Sequence, residues 1–374
     1  VEFVAMKIVA DDKIPLITDY FGAEGELILI PGRALQASDV ADADLLIVRS
    51  VTHVNADLLR DSKVSFVGSV ASGADHLDTA WLDSAGIHWA SATGSNAISV
   101  VEYVICAIAA LQKMSLLNEK KPRAAVIGVG RIGSEVARQL EMLGFDVLLC
   151  DPIRAKQEND FISTPLSAIA DCDFITFHTP LTHKGSDPTY HMIAKNFLQR
   201  QKKNTVLLNA SRGSVIDFSD LKEYGEALYW CLDVWENEPF IDFQVLELAA
   251  LATPHIAGHT RQAKQRGLDM IYHAAVRENI IAPRGAIAIH FPEHVLDFYQ
   301  QAVDWRDVIL KIYNPAESTE LMKQKMIESS EEKIFDRLRN DFNSRYEFHF
   351  VTVKNACLTP QDKNYLQKIG LKVL

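Results

Sequence analysis

Cysteine is scarce in this chain of 374 residues: Cys106, Cys150, Cys172, Cys231 and Cys357 are scattered, odd in number and form no Cys-x-x-Cys pair. A disulfide framework and a zinc ribbon are thereby excluded, and the thiols read as buried groups of an intracellular chain. Positive charge is also short. Lys and Arg total 38 against 49 Asp and Glu, a net charge of −11, and phosphate-backbone binding needs clustered cations, so no nucleic-acid partner is expected. No apolar run is long enough to cross a membrane; the longest, residues 98–111, contains Glu102. The N-terminus lacks a charged segment followed by an apolar core and a cleavage site, and residues 1–5 are set aside as preceding the first strand-like run. No metal-ligand spacing and no internal repeat stand out.

What remains, 48% hydrophobic and 23% charged, is the composition of a globular chain of two to three domains at about 150 residues each. Residues 6–95 alternate apolar runs (Lys7-Ile8-Val9-Ala10, Glu26-Leu27-Ile28-Leu29-Ile30, Leu45-Leu46-Ile47-Val48, Val64-Ser65-Phe66-Val67, Ile87-His88-Trp89-Ala90) with helically spaced segments at 54–61 and 77–85. This pattern predicts a parallel sheet covered on both faces. A long helix is expected at 97–117. A second series follows, with strands at 124–127, 147–150, 174–177, 206–209, 230–233 and 251–253, the count of a doubly wound nucleotide-binding domain. Helical spacing returns at 261–281. Beyond Pro283-Arg284-Gly285 the chain is more charged, as in Ser329-Ser330-Glu331-Glu332-Lys333, and mainly helical in pattern. There, 348–353 reads as a strand and 366–374 as a second pairing element. This tail reads as a small α+β module of its own, with no catalytic surface chemistry.

Gly128-Val129-Gly130-Arg131-Ile132-Gly133 follows a strand and opens a helix. Such a loop makes a tight turn, admits a pyrophosphate against bare backbone and packs the helix closely, with the phosphates at the helix N-terminus. Asp151 ends the next strand at nearly the expected distance of about 20 residues. Its carboxylate suits ribose hydroxyls and repels a 2′-phosphate, which favours NAD over NADP, although Arg154 lies close in sequence.

Three polar sites follow later strands of the same domain, where doubly wound sheets bind ligands. Asn209-Ala210-Ser211-Arg212-Gly213 offers an arginine for bidentate capture of a carboxylate. Asp233-Val234-Trp235-Glu236-Asn237-Glu238-Pro239 offers acids, and Thr253-Pro254-His255-Ile256-Ala257-Gly258 offers a histidine able to exchange a proton near neutral pH. Either Glu236 or Glu238 could orient His255; Glu238 is preferred, and spacing does not decide. One histidine among twelve means little; the weight lies in Arg, Glu and His all falling at strand ends of one cofactor domain. His178-Thr179-Pro180-Leu181 ends another strand and reads as a wall of the nicotinamide site.

Together these motifs resemble the D-2-hydroxyacid dehydrogenase family. The resemblance implies a Rossmann NAD domain (96–258) inserted in a discontinuous flavodoxin-like substrate domain (6–95 and 259–285). It assigns catalytic roles to Arg212, Glu238 and His255, and cofactor contacts to Gly128, Gly130, Arg131, Ile132, Gly133, Asp151, Thr179, Asp233 and Gly258. Val48-Arg49-Ser50-Val51-Thr52, Gly73-Ala74-Asp75-His76-Leu77-Asp78, Asn96-Ala97-Ile98-Ser99-Val100-Val101-Glu102-Tyr103 and Phe335-Asp336-Arg337-Leu338-Arg339 are similar to a narrower branch of the family. That branch acts on a small phosphorylated 2-hydroxy acid and carries a C-terminal α+β dimerisation domain, here 286–374, implying a homodimer. Arg49 and Ser50 are the expected phosphate contacts. Ala71, beside Ser72, and His259 depart from the branch's Thr and Tyr at substrate contacts. The alternatives are an NAD-dependent dehydrogenase of another acid, such as 3-phosphoglycerate, and a non-catalytic NAD-binding sensor or corepressor-like scaffold.

Overall fold

The computed structural model describes residues 6–118, 120–285, 287, 289–329 and 333–374; residues 1–5 and the Ser330-Glu331-Glu332 part of the charged run lie outside the described residues. The chain divides into two compact units, Val1–Asn96 with His259–Pro292, and Ala97–Gly258 with Glu293–Leu374.

In the first unit the apolar runs form strands β1 (Lys7–Asp11), β2 (Glu26–Ile30), β3 (Leu45–Val48), β4 (Phe66–Ser69) and β5 (His88–Ser91), all parallel, in the order β2-β1-β3-β4-β5. β3 and β4 are buried along their whole length, as strands covered on both faces must be. One face packs on the helix Arg261–Arg277, whose Leu268, Ile271 and Tyr272 join Ile8, Leu45 and Phe66 in a single core. That helix ends at Arg277, short of the predicted 281, because Asn279 turns to φ 57°. The order reverses between β1 and β3, so the ligand-binding crevice expected of this topology opens at Asp11 and at Arg49, just past β3.

In the second unit β6 (Arg123–Ile127), β7 (Asp146–Cys150), β8 (Phe174–Phe177), β9 (Val206–Asn209), β10 (Tyr229–Leu232) and β11 (Leu251–Ala252) form a parallel sheet ordered β11-β10-β9-β8-β6-β7. The reversal falls between β6 and β8. Gly128 and His178 follow these two strands directly, at the switch point where dinucleotides bind.

The tail departs from its sequence reading in three respects. Residues 348–353 are not one strand: Phe348–Phe350 is a 3-10 turn and β13 runs Val351–Cys357. The turn forms because Phe348 is buried, its N–H donates to Glu102 Oε1 at 2.8 Å, and Phe350 N–H closes on Glu347 O. A strand the periodicity missed, β12 (His294–Ala302), pairs with β13, which also takes β14 (Lys372–Val373). Its alternation holds for Leu296 and Phe298, then breaks where Tyr299 and Gln300 adopt φ 50° and 66° at a register shift.

Third, the tail does not stand apart from the Rossmann sheet. The helix Ala97–Lys113 is apolar nearly all round, and a helix of that kind needs cover on every side. Val104, Ile108 and Leu111 share one core with Val126, Phe174 and Leu208 of the Rossmann sheet and with Leu296, Phe298, Trp305, Val308 and Ile309 of the tail. Each such side chain contributes roughly 1.5–3 kcal/mol on burial.

Among the described residues no helix is long and apolar enough to cross a membrane, and no group of three or more His, Cys, Asp or Glu could hold a metal ion.

Candidate active site

The glycine loop leaves β6 with Gly128 at φ 85°. A Cβ on Gly133 would lie 1.9 Å from Gly128 O, so helix and strand meet at a distance only glycine allows. A Cβ on Gly130 would meet nothing within 4 Å, and that open space faces the N-terminus of the 12-residue helix Arg131–Met142. Arg131 is exposed there and Ile132 packs back on the core. Across the crevice, His178 Nδ1 and Thr179 Oγ1 are buried with no hydrogen-bond partner among the described residues. His178 Nε2 meets Thr176 Oγ1 at 3.0 Å, and burial pushes the imidazole down to about 3, so it is neutral. Bare backbone, a helix N-terminus and buried polar atoms awaiting partners fit a dinucleotide.

Asp151, just past β7, takes the Val129 N–H on Oδ2 and the Arg154 N–H on Oδ1, both at 2.9 Å, so it stiffens the glycine loop and caps the helix Pro152–Gln157. Arg154 is engaged elsewhere: Nη1 donates to Val129 O and Ser134 Oγ, Nε to Glu158, and the guanidinium lies 4.4 Å over the Phe161 ring. The cation close in sequence is thus committed to the protein.

Of the two acids, Glu238 is the one that meets His255. Its Oε2 lies 2.8 Å from His255 Nδ1, and its Oε1 accepts the Trp235 N–H at 2.9 Å. Glu236 instead meets His191 Nε2 at 2.6 Å and accepts the Phe218 N–H. Burial pushes the Glu238 carboxyl up, but the His255 charge and hydrogen bond, the Arg339 charge and the Trp235 N–H outweigh it and hold it below the ordinary range. An ionised Glu238 can only accept here, so the imidazole Nδ1–H donates to it and Nε2 is left with the free lone pair. His255 sits at φ 56°, a left-handed conformation that its surroundings must impose.

Those surroundings centre on Asp233. It is 1% exposed, and its carboxylate accepts from Thr253 Oγ1 (2.6 Å), Ile256 N–H (2.7 Å) and Ala257 N–H (3.0 Å). Its backbone oxygen takes the His255 N–H at 2.7 Å. Burial raises Asp233 above the usual aspartate value. Thr253 Oγ1 also meets the Tyr103 hydroxyl at 2.8 Å, and Trp235 Nε1 donates to Thr253 O. Sequence reading missed Tyr103 and Thr253 as supports, since a tyrosine on an apolar helix gives no signal of its own. Gly258 closes the turn as the last residue of its segment of the unit.

Arg212 stands on a turn built by Asn209, whose buried amide accepts from Ser211 N–H and Oγ and donates to Arg212 O. A Cβ on Gly213 would lie 2.1 Å from the Trp235 carbonyl, so the arginine turn is pressed against the loop that carries Glu238. An amide at a strand end that competes for backbone groups was the available signal for Asn209.

In the first unit Arg49 Nε pairs with the fully buried Asp11 Oδ2 at 2.8 Å. Ser50, Ala71 and Ser72 are half-buried, and Ser72 Oγ accepts the Gly94 N–H. Ser69 Oγ, bonded to the buried His76 at 2.8 Å, accepts the Ala71 N–H and so shapes the loop before Gly73. His259 is half-buried.

A profile of the family described as D-isomer specific 2-hydroxyacid dehydrogenase, NAD binding domain, matches residues 108–257. The chain is 41% identical over 365 residues to an erythronate-4-phosphate dehydrogenase of Coxiella burnetii, covering 97% of this chain and 98% of that one. It is 37% identical over 381 residues to that of Cellvibrio japonicus, covering 98% and 100%. Among solved structures, an NAD-dependent formate dehydrogenase from Staphylococcus aureus in complex with NAD shares the fold with a TM-score of 0.62 at 23% identity, covering 75% of this chain and 98% of that one. A D-lactate dehydrogenase of Aquifex aeolicus does so at 0.59 and 21%, covering 73% and 96%.

Proposed function

Because the chain belongs to the erythronate-4-phosphate dehydrogenase family, within the D-isomer-specific 2-hydroxyacid dehydrogenases, we propose that it oxidises the C2 hydroxyl of 4-phosphoerythronate to the 2-keto acid. The observation that carries this reading is the His255–Glu238 pair, 2.8 Å apart at the end of an NAD-binding sheet. NAD, when bound, accepts the hydride released from C2. His255 Nε2 takes the hydroxyl proton as the C–H bond breaks, and Glu238 stabilises the resulting imidazolium through Nδ1. Arg212 holds the substrate carboxylate and fixes the face of C2 presented; the N–H groups of Val70 and Ala71 are not available for it, since they donate to Val48 O and Ser69 Oγ. Arg49 and Ser50 hold the 4-phosphate, with Ser72 and Ala71 lining the carboxylate loop and His259 a further substrate contact. Glycines 128, 130 and 133, Arg131, Ile132, Asp151, Thr179, Asp233 and Gly258 serve the cofactor, and Asp233 also holds the His255 turn.

On this reading the chain is a cytoplasmic homodimer, paired through its tail, that serves pyridoxal phosphate biosynthesis. NADH formation over a panel containing 4-phosphoerythronate, 3-phosphoglycerate and unphosphorylated 2-hydroxy acids tests it. A kcat/KM highest for 4-phosphoerythronate supports the assignment; a preference for another acid replaces the substrate, and NAD binding without turnover of any acid replaces the enzyme with a sensor.

A further inference from the structure

The tail reaches the acid–base site of its own chain. Arg345, 6% exposed, donates through Nη2 to Ala257 O at 3.1 Å and to Ser99 O, with its guanidinium 5.3 Å from the Tyr313 ring centroid. Ala257 is two residues past His255, and its N–H is held by Asp233. The chain beside His255 is therefore held through both kinds of backbone group, N–H groups by Asp233 and a carbonyl by Arg345.

We propose that Arg345 is a positioning residue for the acid–base pair, making residues 334–348 of the tail part of the apparatus that holds His255 in place; this rests on the reading of His255 as the proton-exchanging group. Three features support it. His255 occupies a left-handed backbone conformation, which persists only where neighbouring bonds over-determine it. The segment bearing Arg345 is itself fastened to the start of the helix Ala97–Lys113: Ser99 Oγ donates to Glu347 Oε1 at 3.0 Å, and Glu102 takes the Phe348 N–H. The same tail presents Arg339, on the helix Ile334–Asp341, within electrostatic reach of Glu238. Phe335 of that helix packs in one core with Trp235, whose N–H Glu238 accepts. Two tail arginines thus address the two halves of the pair, one through a carbonyl and one through charge. Replacing a buried arginine alone costs stability whatever its role, because the Ser99 and Ala257 carbonyls lose their donor; a positioning role shows instead in the kcat of the folded variant.

The test uses the full-length chain with Arg345→Met, Arg345→Lys and His255→Asn, reading kcat, KM for NAD and Tm. For a folded Arg345→Met, kcat is expected about tenfold below the parent with KM for NAD within about twofold, the signature of lost geometry rather than lost cofactor binding. Arg345→Lys keeps one carbonyl bond and is expected about threefold down. A folded Arg345→Met with parental kcat overturns the proposal whatever its Tm. Should that variant fail to fold, Arg345→Lys decides, and a parental kcat there overturns it. A parental rate in His255→Asn overturns the site reading and the tail's role together; an inactive His255→Asn beside a parental Arg345→Met overturns the tail's role alone.

Discussion

Asp11, fully buried at the end of β1, holds Arg49 by a 2.8 Å ion pair across the switch point of the first sheet. The carboxylate fixes the Nε edge of the guanidinium and leaves its placement with little freedom, so the pair presents a cation of set direction where doubly wound sheets bind ligands.

Arg49→Ala is therefore expected to raise KM for 4-phosphoerythronate at least about tenfold while changing KM for an unphosphorylated 2-hydroxy acid much less. Steady-state kinetics on both substrates check this. Equal changes on the two would remove Arg49 from the phosphate site.

Asp151 is bonded to the glycine loop and Arg154 is committed to Val129 O, Ser134 and Glu158. Asp151→Ala is expected to raise KM for NAD about tenfold and to narrow the preference over NADP. The ratio of kcat/KM for the two dinucleotides measures it, and an unchanged ratio contradicts the assignment.

The Tyr103–Thr253–Asp233 chain is fully buried, with bonds of 2.8 and 2.6 Å. Thr253→Val keeps the volume but leaves the tyrosine hydroxyl and one carboxylate oxygen each short of a bond. The expected loss is about 2 kcal/mol, seen as a Tm lower by several degrees. A Tm within a degree of the parent would show the chain to be dispensable.

Glu238 is held below the ordinary 4.5 in the folded chain, chiefly because the His255 charge and hydrogen bond overcome burial. A depressed carboxyl stabilises the fold above its unfolded value, and that contribution disappears as pH falls through the folded value. The stability difference between the parent and Glu238→Gln is thus expected to be largest above about pH 4.5 and to shrink below it. Denaturant melts across that range check the sign; a difference that grows toward acid contradicts it.

Much of this was readable from residue order alone. Continuous apolar runs such as Leu45–Val48 and Val206–Asn209 have one stable setting, a parallel sheet covered on both faces, and the glycine loop and His255 stand at strand ends. Choosing Glu238 over Glu236 required coordinates, because the two differ only in which histidine each meets, His255 or His191. The hold of Asp233 on the His255 turn was hidden for a like reason: its partners, Thr253, Ile256 and Ala257, lie on another segment of chain. The tail was read least well. Its core is built jointly with the helix Ala97–Lys113, so no periodicity within residues 293–374 could announce it. Arg345, one arginine among 38 basic residues, acquires meaning only from the Ala257 carbonyl it reaches.

The most direct measurement is NADH formation from 4-phosphoerythronate by the parent chain and by His255→Asn, side by side. The parent is expected to turn over this acid in preference to its unphosphorylated analogue, and the variant to lose about two orders of magnitude or more in kcat while still binding NADH. Turnover by His255→Asn at the parental rate, or a parent that leaves 4-phosphoerythronate unoxidised, would contradict the account.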